Sequence, residues 1–155
     1  MRLDFWGKKS DTHLKQYPEG TMADFSSLFA ASSKKSTLFV LFVPSASRDD
    51  QPIDQDYWVK EALQALGELL GGATAYPKAR GVWKDTRRGG KLLFDQPVIV
   101  QSYTSEQALR KHAAQLRAFL HRMGREAEQG AIGFVIGGNY HEISDYDKPN
   151  TRSPS

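Results

Sequence analysis

Residues 37–43 read TLFVLFV and residues 53–72 read IDQDYWVKEALQALGELLGG, and these two neighbouring stretches decide the fold class. The first is a continuous apolar run of strand length, rich in β-branched and aromatic residues. A strand apolar on both faces belongs in the centre of a sheet, because a half-solvated strand alternates with polar residues. The second stretch predicts a helix with its ends marked. Asp54 is a good N-cap. Ile53 before it and Trp58 after it are spaced for a hydrophobic staple. Val59, Ala62, Leu63, Leu66, Leu69 and Leu70 fall on one apolar face, and Gly71-Gly72 supplies a left-handed stop.

Further along, strand character recurs around Tyr76 and at Gly81–Trp83, and 85–90 reads DTRRGG, which is turn chemistry throughout. Leu92–Phe94 and Val98–Tyr103 read as one long strand interrupted at Pro97, so 73–103 is expected to be a long hairpin. A second helix begins at Thr104-Ser105-Glu106-Gln107, which has capping-box spacing. Its apolar face runs through Leu109, Ala113, Leu116, Phe119, Leu120, Met123 and Ala127. A last strand covers 131–136, with a turn at Gly137-Gly138 and a short extra strand at 140–143. The order strand, helix, strand, strand, helix, strand predicts an α+β, ferredoxin-like βαββαβ sandwich. Its four-stranded antiparallel sheet would carry two helices on one face, because each crossover is right-handed. Residues 1–36 have poor periodicity and read as an irregular N-terminal arm, with Phe25, Leu28 and Phe29 or Phe5 and Trp6 as candidate anchors. Residues 37–143 are the domain, and 144–155 read as a disordered C-terminal tail.

Composition narrows the chemistry. The chain has 155 residues, 39% hydrophobic and 25% charged, which suits one domain able to bury a core without staples. It has no cysteine, which removes disulfides, thiolate metal sites and thiol nucleophiles. No stretch approaches the roughly 20 apolar residues of a membrane span, and the N-terminus has no apolar signal core. A cytoplasmic protein with no membrane partner is therefore expected. None of His13, His112, His121 and His141 has metal-ligand spacing. No GxSxG elbow or phosphate loop is present, so no metal, cofactor or catalytic residue is assigned. Asp49, Asp50, Asp54 and Asp56 suit the dipole of the first helix.

Charge is concentrated in the expected hairpin. Between Tyr76 and Phe94 the basic residues Lys78, Arg80, Lys84, Arg87, Arg88 and Lys91 stand against the single acid Asp85, giving +5 where the whole chain is +3. Basic residues interleaved with aromatic ones suit phosphates and bases, though the RNP pattern of the common RNA-binding module is absent. Leu38–Ala46, Tyr57-Trp58 and Gly81-Val82-Trp83-Lys84-Asp85 together resemble small uncharacterised bacterial domains of the ferredoxin-like type that carry a G-x-W-x-D strand element. The resemblance covers 37–143. It implies the fold and singles out Trp83 and Asp85, but implies no activity.

The first functional expectation is a non-catalytic binding or accessory module of a larger bacterial assembly. Its basic-aromatic hairpin would contact nucleic acid or a partner protein. The alternative is a small-molecule-binding or enzymatic domain whose pocket lies on the sheet face of a homodimer, lined by Tyr76, Trp83, Tyr103 and His141.

Overall fold

The computed structural model describes residues 25–146. The Phe5 and Trp6 anchors and the last nine residues of the expected tail lie outside them. Residues 25–34 form a small unit of their own with one turn of backbone, in which the Phe29 N–H donates to the Phe25 carbonyl. The second unit begins at Lys35.

That unit is an α+β domain. Seven strands, β1 (Thr37–Val43), β2 (Thr74–Ala75), β3 (Gly81–Asp85), β4 (Lys91–Asp95), β5 (Val98–Thr104), β6 (Ile132–Ile136) and β7 (Asn139–Ile143), alternate with helices α1 (Gln55–Leu70), α2 (Glu106–Lys111) and α3 (Ala113–Glu126). The main sheet has the order β2-β5-β1-β6-β7, with antiparallel pairing throughout. β1 is central as its sequence requires. Phe39, Leu41 and Val43 are buried against the helices, and Leu38, Val40 and Phe42 face the other side.

Three expectations are corrected. The sheet has five strands rather than four, because Gly137-Gly138, both with positive φ, turn the chain back so that β7 extends the edge beyond β6. Residues 73–103 do not form one hairpin. β2 and β5 pair in the main sheet, while β3 and β4 form a separate two-stranded sheet. Pro97, which has no N–H to donate to a ladder, marks the point where the chain leaves the small sheet for the large one. The second helix is two helices that break at His112, with Ser105 rather than Thr104 as cap, accepting from the Ala108 N–H at 3.1 Å. Thr104 is already committed to β5 opposite Thr37.

α1 follows its local signals. The Asp54 carboxylate accepts from the Tyr57 N–H at 3.0 Å, and Gly71 at φ 90° closes the helix. Trp58, Ala62, Leu66 and Leu70, four residues apart, face the sheet and α3. Gln55 is buried, and its amide donates to the carbonyls of Val43 (3.2 Å) and Gln96 (2.9 Å), tying the start of α1 to two strand ends. α1 and α3 are clamped by Arg122. Its guanidinium meets Glu61 at 2.5 Å and the Tyr57 hydroxyl at 3.2 Å, and lies 5.2 Å from the Trp58 ring centroid.

Tyr146 packs where Gly124 leaves α3 bare; a Cβ there would run into the ring. Burial, reinforced by the nearby Glu142 charge, pushes its phenol from 10.0 up to about 12, with Arg48 and Arg87 pulling the other way. Folding therefore favours the neutral phenol. The associated stability is complete below the ordinary tyrosine range and is lost as pH rises through about 12. A spectrophotometric titration is expected to show one tyrosine ionising near 12, and Gly124→Ala should return it to the ordinary range. An identical titration in that variant would mean Tyr146 is not seated there.

Candidate functional site

Where β1 begins and β5 and β6 end, a cleft of 470 Å³ opens beneath α2. β1 contributes Thr37, α2 Glu106, Leu109 and Arg110, α3 Ala113, and the end of β6 Ile136 and Gly137. This volume lies within the range of small-molecule sites. The walls are apolar, from Leu109, Ala113 and Ile136, and the rim carries one charge of each sign. The Arg110 guanidinium donates through Nε (3.0 Å) and Nη2 (2.6 Å) to a single Glu106 oxygen. Both side chains remain largely exposed, 78% and 70%. An exposed pair of this kind contributes about 0–1 kcal/mol, so a charged ligand can exchange with it at little cost. The i,i+4 spacing of Glu106 and Arg110 is visible in the sequence. Their convergence with Thr37, Ile136 and Gly137 is not, because these residues come from three elements and a turn far apart in the chain.

The opposite face of the sheet carries an aromatic cluster. Trp83 projects from β3 onto Phe42 of β1 (centroids 6.0 Å, edge-on) and stacks on Tyr140 of β7 (6.4 Å). Tyr140 in turn lies over Gly133, where any Cβ would meet its ring. Burial, with the neighbouring Glu142 charge, raises the Tyr140 pKa. These rings pack against one another with centroids 6.0–6.5 Å apart. Trp83→Ala is expected to cost about 1–2 kcal/mol, less than a fully buried tryptophan. It should also make the 86–90 tip the first site of limited proteolysis.

Trp83 alone of the four expected pocket residues joins that cluster. Tyr103 is exposed on the same face of the sheet at the far end of β5, and Tyr76 follows β2, its N–H donating to the Ile99 carbonyl. His141 lies on the helix side, stacked on Phe134 at 5.3 Å, because side chains alternate along β7.

The basic residues do not form one surface. Lys78 and Arg80 sit in the link before β3. Lys84 shares the outward hairpin face with Val82, Leu92 and Phe94, whereas Lys91 is opposite Asp85 in the register and points the other way. Arg87 and Arg88 form a 3₁₀ turn at the tip. The Arg88 side chain is used internally, donating to the Arg48 carbonyl at 3.0 Å and pairing with Asp85 at 3.4 Å. Asp85 also caps that turn by accepting the Arg87 N–H at 2.9 Å, so its observed role is local architecture. Among the described residues no cluster of three or more His, Asp or Glu is placed to hold a metal ion, and no helix is long and apolar enough to cross a membrane.

The arrangement of strands and helices is shared with proteins of known structure. Two solved structures of a phage SAM lyase superpose on the chain. The complex with S-methyl-5'-thioadenosine matches at TM-score 0.55 and 16% identity, covering 76% of this chain and 95% of that one. The apo form matches at TM-score 0.53 and 15% identity, covering 74% and 94%. No protein-family model and no curated protein matches the chain. The expectation of a non-catalytic, nucleic-acid-binding accessory module is thereby corrected: the shared fold is that of an enzyme holding a small molecule.

Proposed function

We propose that this protein is a small-molecule enzyme that binds an S-adenosylmethionine-type ligand in the cleft beneath α2 and cleaves it as a lyase. The observation that carries the reading is a cleft of ligand size, with a carboxylate and a guanidinium on an apolar wall, within a fold shared over nearly the whole length of a SAM lyase. The chemistry is complementary. Such a ligand carries a sulfonium, an ammonium and a carboxylate. Glu106 would face the positive charge, Arg110 would hold the carboxylate, and Leu109 and Ile136 would take the apolar surface. In the cleavage, the bond from sulfur to the four-carbon chain breaks and its electron pair stays on sulfur. The ligand's own carboxylate oxygen attacks the carbon that sulfur leaves, so a C–O bond closes a lactone as the C–S bond breaks, the sulfonium becomes the neutral thioether S-methyl-5'-thioadenosine, and the positive and negative charges cancel with no water or proton added.

The order β2-β5-β1-β6 with two helical crossovers supports a ferredoxin-like core, extended by β7 and by the β3–β4 insertion. A cytoplasmic location fits a substrate of this class. The exposed Tyr103, Trp83 and Tyr140 on the open sheet face suit a homodimer contact. The test is direct. Purified protein is incubated with S-adenosylmethionine and the products separated by chromatography. Release of S-methyl-5'-thioadenosine is expected; unchanged substrate, with no binding by calorimetry, would remove the proposal.

A further inference from the structure

β7 is an edge strand without the guards that edges carry. It pairs with β6 along its whole length, from Ile136↔Asn139 to Ile132↔Ile143, with no bulge. Its outer side faces no other strand among the described residues. Native sheets blunt such edges with very short strands, lysine, proline or a bulge, because unpaired main-chain groups recruit another chain. The opposite edge of the sheet follows that rule: β2 has two residues and is followed by Pro77 and Lys78. The two strands of the small sheet carry Lys84 and Lys91. β7 reads NYHEI, with no lysine, arginine or proline, and Asn139 to Glu142 are exposed.

The alternation of the ladder decides which groups are unpaired. The Gly137 N–H donates to the Leu38 carbonyl at 2.9 Å, so position 137 points its main chain at β1. Along an antiparallel strand that direction alternates, so Ile136, Phe134 and Ile132 bond to Asn139, His141 and Ile143 of β7. Tyr140 and Glu142 therefore turn their main-chain N–H and C=O outward. Neither residue finds a main-chain partner there among the described residues.

We infer that the outer edge of β7 pairs antiparallel with β7 of a second copy of this chain. One register suits it. With Tyr140 opposite Glu142 of the second copy, each such pair exchanges both main-chain bonds, about four in all. His141 then meets its own symmetry mate at the two-fold axis. A slip of one residue turns the outward groups away from each other. A slip of two sets Glu142 against Glu142, which is unfavourable, or Tyr140 against Tyr140 with Glu142 opposite the Gly138 turn. The Tyr140 hydroxyl is already within 3.5 Å of the Glu142 carboxylate of its own chain. Self-pairing brings that carboxylate a second phenol in place of a like charge, and this complementarity selects a second copy over an unrelated strand. The contact does not depend on the lyase reading. It runs along the sheet's edge rather than through the open face that carries Trp83 and Tyr103.

Because the chain has no cysteine, a single introduced thiol reports one position. His141→Cys places two thiols at a non-hydrogen-bonded pair with Cα atoms about 4.5 Å apart, within disulfide reach. Glu142→Cys, equally exposed, places the Cα atoms about 8–9 Å apart, out of reach. Under a mild oxidant, His141→Cys is expected to form the linked dimer on the order of tenfold faster than Glu142→Cys. Equal rates would mean random collision and overturn the pairing. The unaltered protein should shift toward twice its monomer mass in sedimentation, and only at high concentration, because so short a contact makes a small interface. Glu142→Pro removes an outward N–H without touching the β6 ladder. It should stay monomeric at the same concentration, with an unchanged melting temperature in dilute solution. Dimers that persist in Glu142→Pro, together with slow cross-linking at 141, would place the contact on the open face and overturn the edge pairing. A chain that stays monomeric at every concentration would overturn it as well.

Discussion

Glutamine in place of Glu106 should lower S-adenosylmethionine cleavage by about 10- to 100-fold while leaving the melting temperature almost unmoved. The first half follows from charge. A carboxylate facing the ligand's ammonium, whose charge persists through the reaction, makes a charge-assisted contact of about 1.5–3 kcal/mol, and the neutral amide keeps the shape but loses that charge, so the loss is read in kcat/KM. The second half follows from exposure. The Glu106–Arg110 pair is mostly solvated, and exposed pairs contribute about 0–1 kcal/mol to folding. Arg110→Met should act differently, raising KM more than it lowers kcat, because Arg110 holds the ligand carboxylate most strongly before that group spends its charge on the new bond. Steady-state kinetics and thermal melts on the two variants check this together. Normal kinetics in Glu106→Gln would place the chemistry elsewhere, for example on the aromatic face around Trp83.

Phe39→Ala should destabilise the domain by about 3–5 kcal/mol, whereas Phe94→Ala should change stability by less than about 0.5 kcal/mol. Phe39 is 1% exposed at the centre of β1, stacked on Phe134 at 5.9 Å, and its loss leaves a cavity between sheet and helices. Phe94 is 82% exposed on the outer face of the β3–β4 hairpin. With total stabilities of about 5–15 kcal/mol typical of such domains, the first variant is expected to be partly unfolded at moderate temperature. Urea unfolding with a constant slope is the measurement. Comparable losses in the two variants would mean that the hairpin's outer face is covered in solution.

Those two phenylalanines show why the site was harder to read than the elements. Both lie in apolar runs of strand length, TLFVLFV and KLLFD, and nothing local separates them. β1 gains its second apolar face because it has neighbours on both edges and Trp83 over Phe42. β4 has one neighbour, β3. The basic character of 76–94 was likewise real in the sequence. Strand alternation then sent Lys84 and Lys91 to opposite faces, and Arg88 was taken up by Arg48 and Asp85.

What the amino-acid order determined by itself was local: β1 as a central strand, α1 with its Asp54 cap and Gly71 stop, the helical period of 106–126, and the absence of thiol chemistry. Each depends on periodicity or on backbone conformations of neighbouring residues, and these act over a few positions. What only the tertiary structure decided was non-local. It set β3 and β4 apart as a second sheet and added β7 as a fifth strand. It placed His141 on the far face from Trp83, and it gathered Thr37, Glu106, Arg110 and Gly137 around one cleft. Those outcomes depend on which strands pair across up to about a hundred residues of chain. That choice is made by burial of the whole core and leaves no signature at any single position.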